Sequence, residues 1–179
     1  MKLSEYERLV LSNQFKIMTS LFPEEKKYLE IKMEILEEGY EIHYGELADS
    51  FCEPMSEKDS RKVLDILDMY RALAFSIEEL AKSKKSKYYM KKVFFPGFDG
   101  NNETKEMVYV KFFIHKMGRF EELKHPGEYP DYNTHYPTLD QYTEMLIKWK
   151  NIGDNCFELN ENQITELLEH AVSGSLIEK

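Results

Sequence analysis

Cysteine is nearly absent from this chain. Its two thiols, Cys52 and Cys156, lie 104 positions apart, with no C-x-x-C spacing. That excludes a disulfide framework and a cysteine zinc cage, and points to a reducing compartment. No run of apolar residues approaches the roughly 18 that would suggest a membrane span. The opening "MKLSEYERLV" carries acids instead of a secretory apolar core, so a soluble cytoplasmic protein is expected. Positive charge is in deficit: the formal charge is −9 and the pI about 5.2. Such a balance repels nucleic acid and anionic membranes at long range. There is no G-x-S-x-G and no H-E-x-x-H, and none of the five histidines forms a close ligand pair. No cofactor or metal is therefore expected.

What is present is apolar and helical. Hydrophobic residues make up 42% of the chain, enough for a sizeable core. Helix starts recur as a capping residue followed three positions later by an acid or amide. These are Ser4 with Glu7, Ser56 with Asp59, Ser76 with Glu79, Thr138 with Gln141, and Asn160 with Gln163. Together they argue for a mostly helical protein.

The first helix is expected from about Glu5 to Leu21, with two apolar stripes. Leu11, Phe15, Met18 and Phe22 form one, and Tyr6, Val10 and Ile17 the other, so burial on more than one side is expected. Pro23 suits the opening of a second helix and Gly39 its end. A short helix is expected over "YGELADSF". A longer one covers "SEKDSRKVLDILDMYRALAF", where Val63, Ile66, Leu67, Tyr70, Leu73 and Ala74 share a face. That amphipathic pattern favours a core helix over the recognition helix of a helix-turn-helix. Two more helices are expected at "LDQYTEMLIKWK" and "ENQITELLEHAV".

Residues 88–117 admit two readings. "YYMKKVFF" and "MVYVKFFI" suit a β-hairpin around "DGNN". Alternatively Asn102 caps a helix over "ETKEMVYVKFFIHKM" that Gly118 stops. Downstream, "RFEELKHPGEYPDYNTHYP" reads as a long loop, a form that is often functional.

Several segments in order, "RLVLSNQFKIM", "EILEEGY", "DILDMYRAL", "GFDGNNE" followed by "YVKF", and "QYTEMLIKW", resemble the bacterial YfbU-like family. They extend from about Arg8 to Trp149. The resemblance implies an all-α, multihelical single domain over 1–179, and with it the helix after "DGNNE". Two helical lobes are expected within it, about 1–81 and about 93–179, joined by a lysine-rich connector at 82–92. No enzyme class is implied. In some members a helix-turn-helix segment precedes this domain. Only seven residues precede Arg8 here, so no such added segment is expected.

Candidate sites follow from residue chemistry. An EF-hand starting at Asp99 would require Gly at 104 and Glu at 110, where Thr104 and Val110 stand. Asp99, Asn102 and Glu103 remain candidates for holding a polar ligand, against the simpler role of turn and cap. Asn13 and Gln14 beside Ser12, and Arg119 at the start of the long loop, are further ligand candidates. Asp65 and Asp68 share a helix face, but Arg61 and Arg71 at helical spacing favour ion pairs over metal or acid–base work. His125 and His135 share the long loop with Glu128 and Asp131. The stretch "KSKKSKYYMKK" offers Lys82, Lys84, Lys85, Lys87, Lys91 and Lys92 for phosphate and Tyr88 for base stacking. The best-supported function is a non-enzymatic ligand- or partner-binding regulatory domain that forms a homo-oligomer. A nucleic-acid regulator using 82–92 and an enzyme with a site near the 119–137 loop are the alternatives.

Overall fold

A computed structural model describes residues 1–124, 131–153, 156–171 and 175–178. The fold is all-α and falls into two compact units, Met1–Pro54 and Met55–Lys179. Among the described residues no helix is long and apolar enough to cross a membrane.

In the first unit, α1 (Glu5–Leu21) packs against α2 (Lys26–Glu38). Ser4 and Glu7 form the expected capping box: the Ser4 hydroxyl accepts from the Glu7 amide, and the Glu7 carboxylate accepts from the Ser4 amide at 2.8 Å. That hydrogen bonding lowers the Glu7 pKa. Pro23 opens a 3₁₀ turn at Pro23–Glu25 ahead of α2, and Gly39 ends α2 in the left-handed conformation at φ 76°. Tertiary bonds lock the hairpin. Arg8 donates to the Leu36 carbonyl at 2.9 Å, and Ser12 donates to Glu37 Oε1 at 2.8 Å. A 3₁₀ segment, Glu41–Ala48, starts three residues earlier than the short helix expected at "YGELADSF". Within this unit α2 leaves the second stripe of α1 uncovered, and Ser12 is the one buried residue of that helix.

The second unit is built on α3 (Glu57–Leu80), whose buried face includes Val63, Ile66, Leu67, Tyr70, Leu73 and Ile77. Ser56 caps it by accepting from the Asp59 amide. The helix does not restart at Ser76. That serine lies inside α3, and its hydroxyl accepts from the Leu159 amide at 2.9 Å. A Ser-x-x-Glu pattern in a continuous helix has no orphan amides to satisfy, so Ser76 takes a tertiary partner instead.

The remaining helices are α4 (Thr104–Lys111), α5 (Leu139–Asn151) and α6 (Glu161–Leu168). Asn160 and Gln163 cap α6 with a complete capping box. From α4 the chain continues through a π-helical turn, Phe112–Lys116, to Gly118 at φ 62°. The helix reading of 103–117 is therefore correct. The hairpin reading is half realised with a different partner. Strand β1 (Lys91–Val93) pairs antiparallel with β2 (Leu176–Glu178), Lys92 opposite Ile177.

The turn at Pro96–Gly97 sets the spacing of the core. Phe98 donates its amide to the Tyr132 carbonyl at 2.9 Å, and Thr134 returns an amide to the Phe98 carbonyl at 3.0 Å. This backbone pairing gives the expected loop an ordered stretch at 131–134. It also brings Gly97, at φ 111°, so close that a Cβ there would lie 1.9 Å from the Tyr132 carbonyl oxygen. Gly97→Ala is accordingly expected to cost more than about 3 kcal/mol or to abolish folding, since neither backbone has room to move. Gly118→Ala, where a Cβ meets nothing, is expected to cost only about 1 kcal/mol. Urea denaturation of the two variants checks the contrast.

Candidate functional site

Glu103 is the centre of the polar cluster in the second unit. It lies at the start of α4 with 4% of its surface exposed. Four donors converge on its carboxylate. Oε1 accepts from the amides of Thr138 at 2.7 Å and Leu139 at 2.8 Å. Oε2 accepts from the Thr138 hydroxyl at 2.8 Å and the Asp99 amide at 2.9 Å. In return, the Glu103 amide donates to the Asp99 carbonyl at 2.8 Å. This is the logic of a capping box distributed over two helices. The side chain that begins α4 satisfies the opening amides of α5, 35 residues away.

The expected Thr138–Gln141 box is therefore not what caps α5. Thr138 makes no side-chain cap bond within its own helix; its hydroxyl donates to Glu103. Asn102 is not the cap of α4 either. Its side-chain amide donates to Asp99 Oδ2, while Asp99 Oδ1 accepts from the Asn101 amide at 3.0 Å. These bonds, the backbone one first, hold the Asp99 carboxyl below its usual range. Gly100 donates its amide to Asn133 Oδ1 at 2.9 Å, and Thr104 donates its hydroxyl to the Gly100 carbonyl.

Beneath the cluster lies a set of interlocked rings. Phe95 and Phe98 contact Tyr142 edge-on or tilted, with centroids 5.7 and 5.3 Å away. Tyr70 meets Phe95 edge-on at 5.1 Å. Burial raises the pKa of both Tyr70 and Tyr142 and pushes that of Tyr132 up to about 12. Neutral phenols then serve as donors: Tyr142 donates to the Gly97 carbonyl at 2.7 Å. No buried side-chain nitrogen or oxygen among the described residues lacks a partner.

The structure thus brings together three of the expected ligand residues, Asp99, Asn102 and Glu103, and engages all three in internal bonds. Asn13 and Gln14 are exposed on α1. Arg119 is exposed, its amide donating to the Phe113 carbonyl. Thr138, Asn133 and Gly97 complete the cluster. Thr138 carried a sequence signal as the expected start of α5, and Gly97 as half of a Pro-Gly turn pair.

The other candidates resolve separately. Arg71 pairs with Asp68 at 3.8 Å, bonds Glu122 at 2.5 Å, and stacks over Phe120 at 3.9 Å. Burial raises the Asp68 pKa against the opposing pull of Arg71. Arg61 reaches Glu57 at 3.2 Å in place of Asp65, which pairs across to Lys150 of α5. No group of three or more His, Cys, Asp or Glu side chains fit to hold a metal is found among the described residues. His125 and Glu128 lie outside the described residues.

In the lysine-rich segment, Lys82 pairs with Glu79, Lys87 donates to the Thr165 hydroxyl, and Lys92 sits over Phe94 at 5.0 Å. Lys84 and Lys85 are exposed, whereas the Tyr88 ring is buried, with its hydroxyl 3.1 Å from that of Thr165. Lys91 and Lys92 border a cavity of about 100 Å³ with Phe75, Glu78 and Glu122. That volume falls well below the roughly 300 Å³ of a typical ligand pocket.

A family model described as the YfbU domain matches residues 1–170. The chain belongs to the YfbU family. It is also 34% identical over 167 residues to the UPF0304 protein MJECS11 of Methanocaldococcus jannaschii, covering 93% of this chain and 98% of that protein. This relative is archaeal, which widens the expected bacterial range. The match runs across both compact units, so the YfbU domain embraces the α1–α2 hairpin as well as the Glu103 cluster.

Two outcomes follow from the cluster. Glu103→Ala strands three amides and a hydroxyl, and is expected to cost on the order of 3–5 kcal/mol in urea denaturation, with Glu103→Gln costing about 1–3 kcal/mol. For Asp99, the lowered pKa means that its stabilisation is present above the unfolded carboxylate value and is lost as pH falls through the folded value. Asp99→Asn should therefore be less stable than wild type at neutral pH. The gap between the two should close from about pH 4 downward, as paired denaturation curves across that range would show.

Proposed function

We propose that this YfbU-family chain is a non-enzymatic regulatory domain of the cytosol that works by binding, and that protein association runs through its N-terminal unit. One observation carries this reading. In residues 1–54 large apolar side chains stand in solvent, among them Tyr6, Ile17, Tyr28, Ile42 and Phe51. Exposed apolar side chains at this density in a unit of 54 residues are what a protein-association surface offers. The Glu103 cluster, by contrast, directs its carboxylate inward at backbone amides, a geometry suited to holding helices in place.

The nucleic-acid reading keeps the exposed Lys84 and Lys85, but the burial of Tyr88 removes its expected stacking platform. A reading with an active site near 119–137 draws on Asp131 and His135. Asp131 already accepts from the Asn133 amide at 3.2 Å, which suits a turn.

The test is a thermal-shift screen of the full chain against metabolites, run beside a mobility-shift assay with single-stranded DNA and RNA at low salt. Stabilisation that rises with protein concentration supports association, and stabilisation by a small molecule that is recovered unchanged supports the binding role. A salt-dependent nucleic-acid shift, or turnover of the stabilising compound, overturns it in favour of the corresponding alternative.

A further inference from the structure

α1 carries more apolar surface than its own unit covers. At 3.6 residues per turn, Tyr6, Leu9, Val10, Asn13, Ile17 and Leu21 fall within a sector of about 120°. The residues that bond α2, Arg8 and Ser12, lie on the other side. The stripe is open: Tyr6 is 75% exposed, Leu9 58%, Ile17 62% and Leu21 66%. A helix that is apolar on two faces is buried on two faces in its working state.

The stripe is self-complementary. Asn13 is its centre, with Leu9 and Ile17 four residues to either side, and Tyr6 balanced by Ser20 and Leu21 at the far end. Placing a copy of α1 antiparallel, with Asn13 against Asn13, sets Leu9 against Ile17 twice. It also sets Tyr6 over a shallow hollow bordered by Asn13, Lys16, Ile17, Ser20 and Leu21. A two-fold interface repeats each such contact by symmetry. At its centre the two Asn13 amides each offer a donor and an acceptor, and a single polar residue of this kind in an apolar seam fixes register. Antiparallel helices also oppose their dipoles favourably.

From the exposures above, the stripe exposes on the order of 600 Å² per partner, about 1,200 Å² for the pair, so full coverage of the stripe would bring the pair to the lower edge of specific interfaces.

We propose that the chain forms a two-fold dimer through antiparallel pairing of the exposed α1 stripe, with Asn13 on the symmetry axis. This rests on the reading that the N-terminal unit mediates association, and names its partner as a second copy. The test uses the full chain in analytical ultracentrifugation. Wild type is expected to sediment as a dimer at micromolar concentration, and Ile17→Asp is expected to raise the dissociation constant at least about tenfold with an unchanged helical circular dichroism spectrum. On a Cys52→Ser, Cys156→Ser background, Asn13→Cys should form a disulfide-linked dimer under mild oxidation, while Lys27→Cys on α2 should not. A wild-type chain that is monomeric up to about 100 µM overturns the proposal. So does a dimer indifferent to Ile17→Asp, or equal cross-linking at 13 and 27. A monomer would leave small-molecule binding, read in the thermal-shift screen, as a separate question.

Discussion

The second unit depends on one carboxylate. Glu103 accepts from Asp99, Thr138 and Leu139, and so ties the loop before α4 to the opening of α5. Helix openings leave amides without intrahelical partners, and a buried opening has no water to supply them. Here the partner comes from a distant part of the sequence. One residue thereby solves two problems. The α5 amides gain a charged acceptor, and the carboxylate's own burial is offset by four donors.

The aromatic packing below the cluster follows from that tie. Phe95 and Phe98 flank Gly97, whose carbonyl accepts from Tyr142 of α5. Only glycine can stand so close to the Tyr132 backbone. The turn, the rings and the helix start are therefore mutually constrained. A shift in any one of them would break hydrogen bonds or ring contacts in the others.

Local signals were legible in the sequence. Ser4 with Glu7, Asn160 with Gln163, and the left-handed Gly39 act within a few residues, and each appears where its pattern placed it. The apolar face of α3 was equally plain. Ser76 misled because its pattern matched a cap while its partner, Leu159, lies 83 residues away. Asn102 and Thr138 misled for the same reason: Glu103 joins two loops whose proximity no local rule encodes. The strand at Lys91–Val93 was visible by composition, but its pairing with residues 176–178 was not. As for function, the reading from sequence located polar residues without showing which way they point. Asp99 and Glu103 satisfy backbone, and the exposed side chains lie elsewhere.

Tyr70 shares a hydrogen bond of 2.9 Å with Ser175, 105 positions later in the chain. A ribosome delivers these residues in order, at about 5–20 per second. The α1–α2 hairpin is closed by bonds spanning only 25 and 28 positions, so it can form early in synthesis. The second unit cannot complete its core until residue 175 has emerged. During that interval Tyr70 and its neighbouring rings stand open, and non-local closure of this kind is slow. The order in which the polypeptide is made thus supplies every bonding partner of the hairpin well before it supplies those of the core.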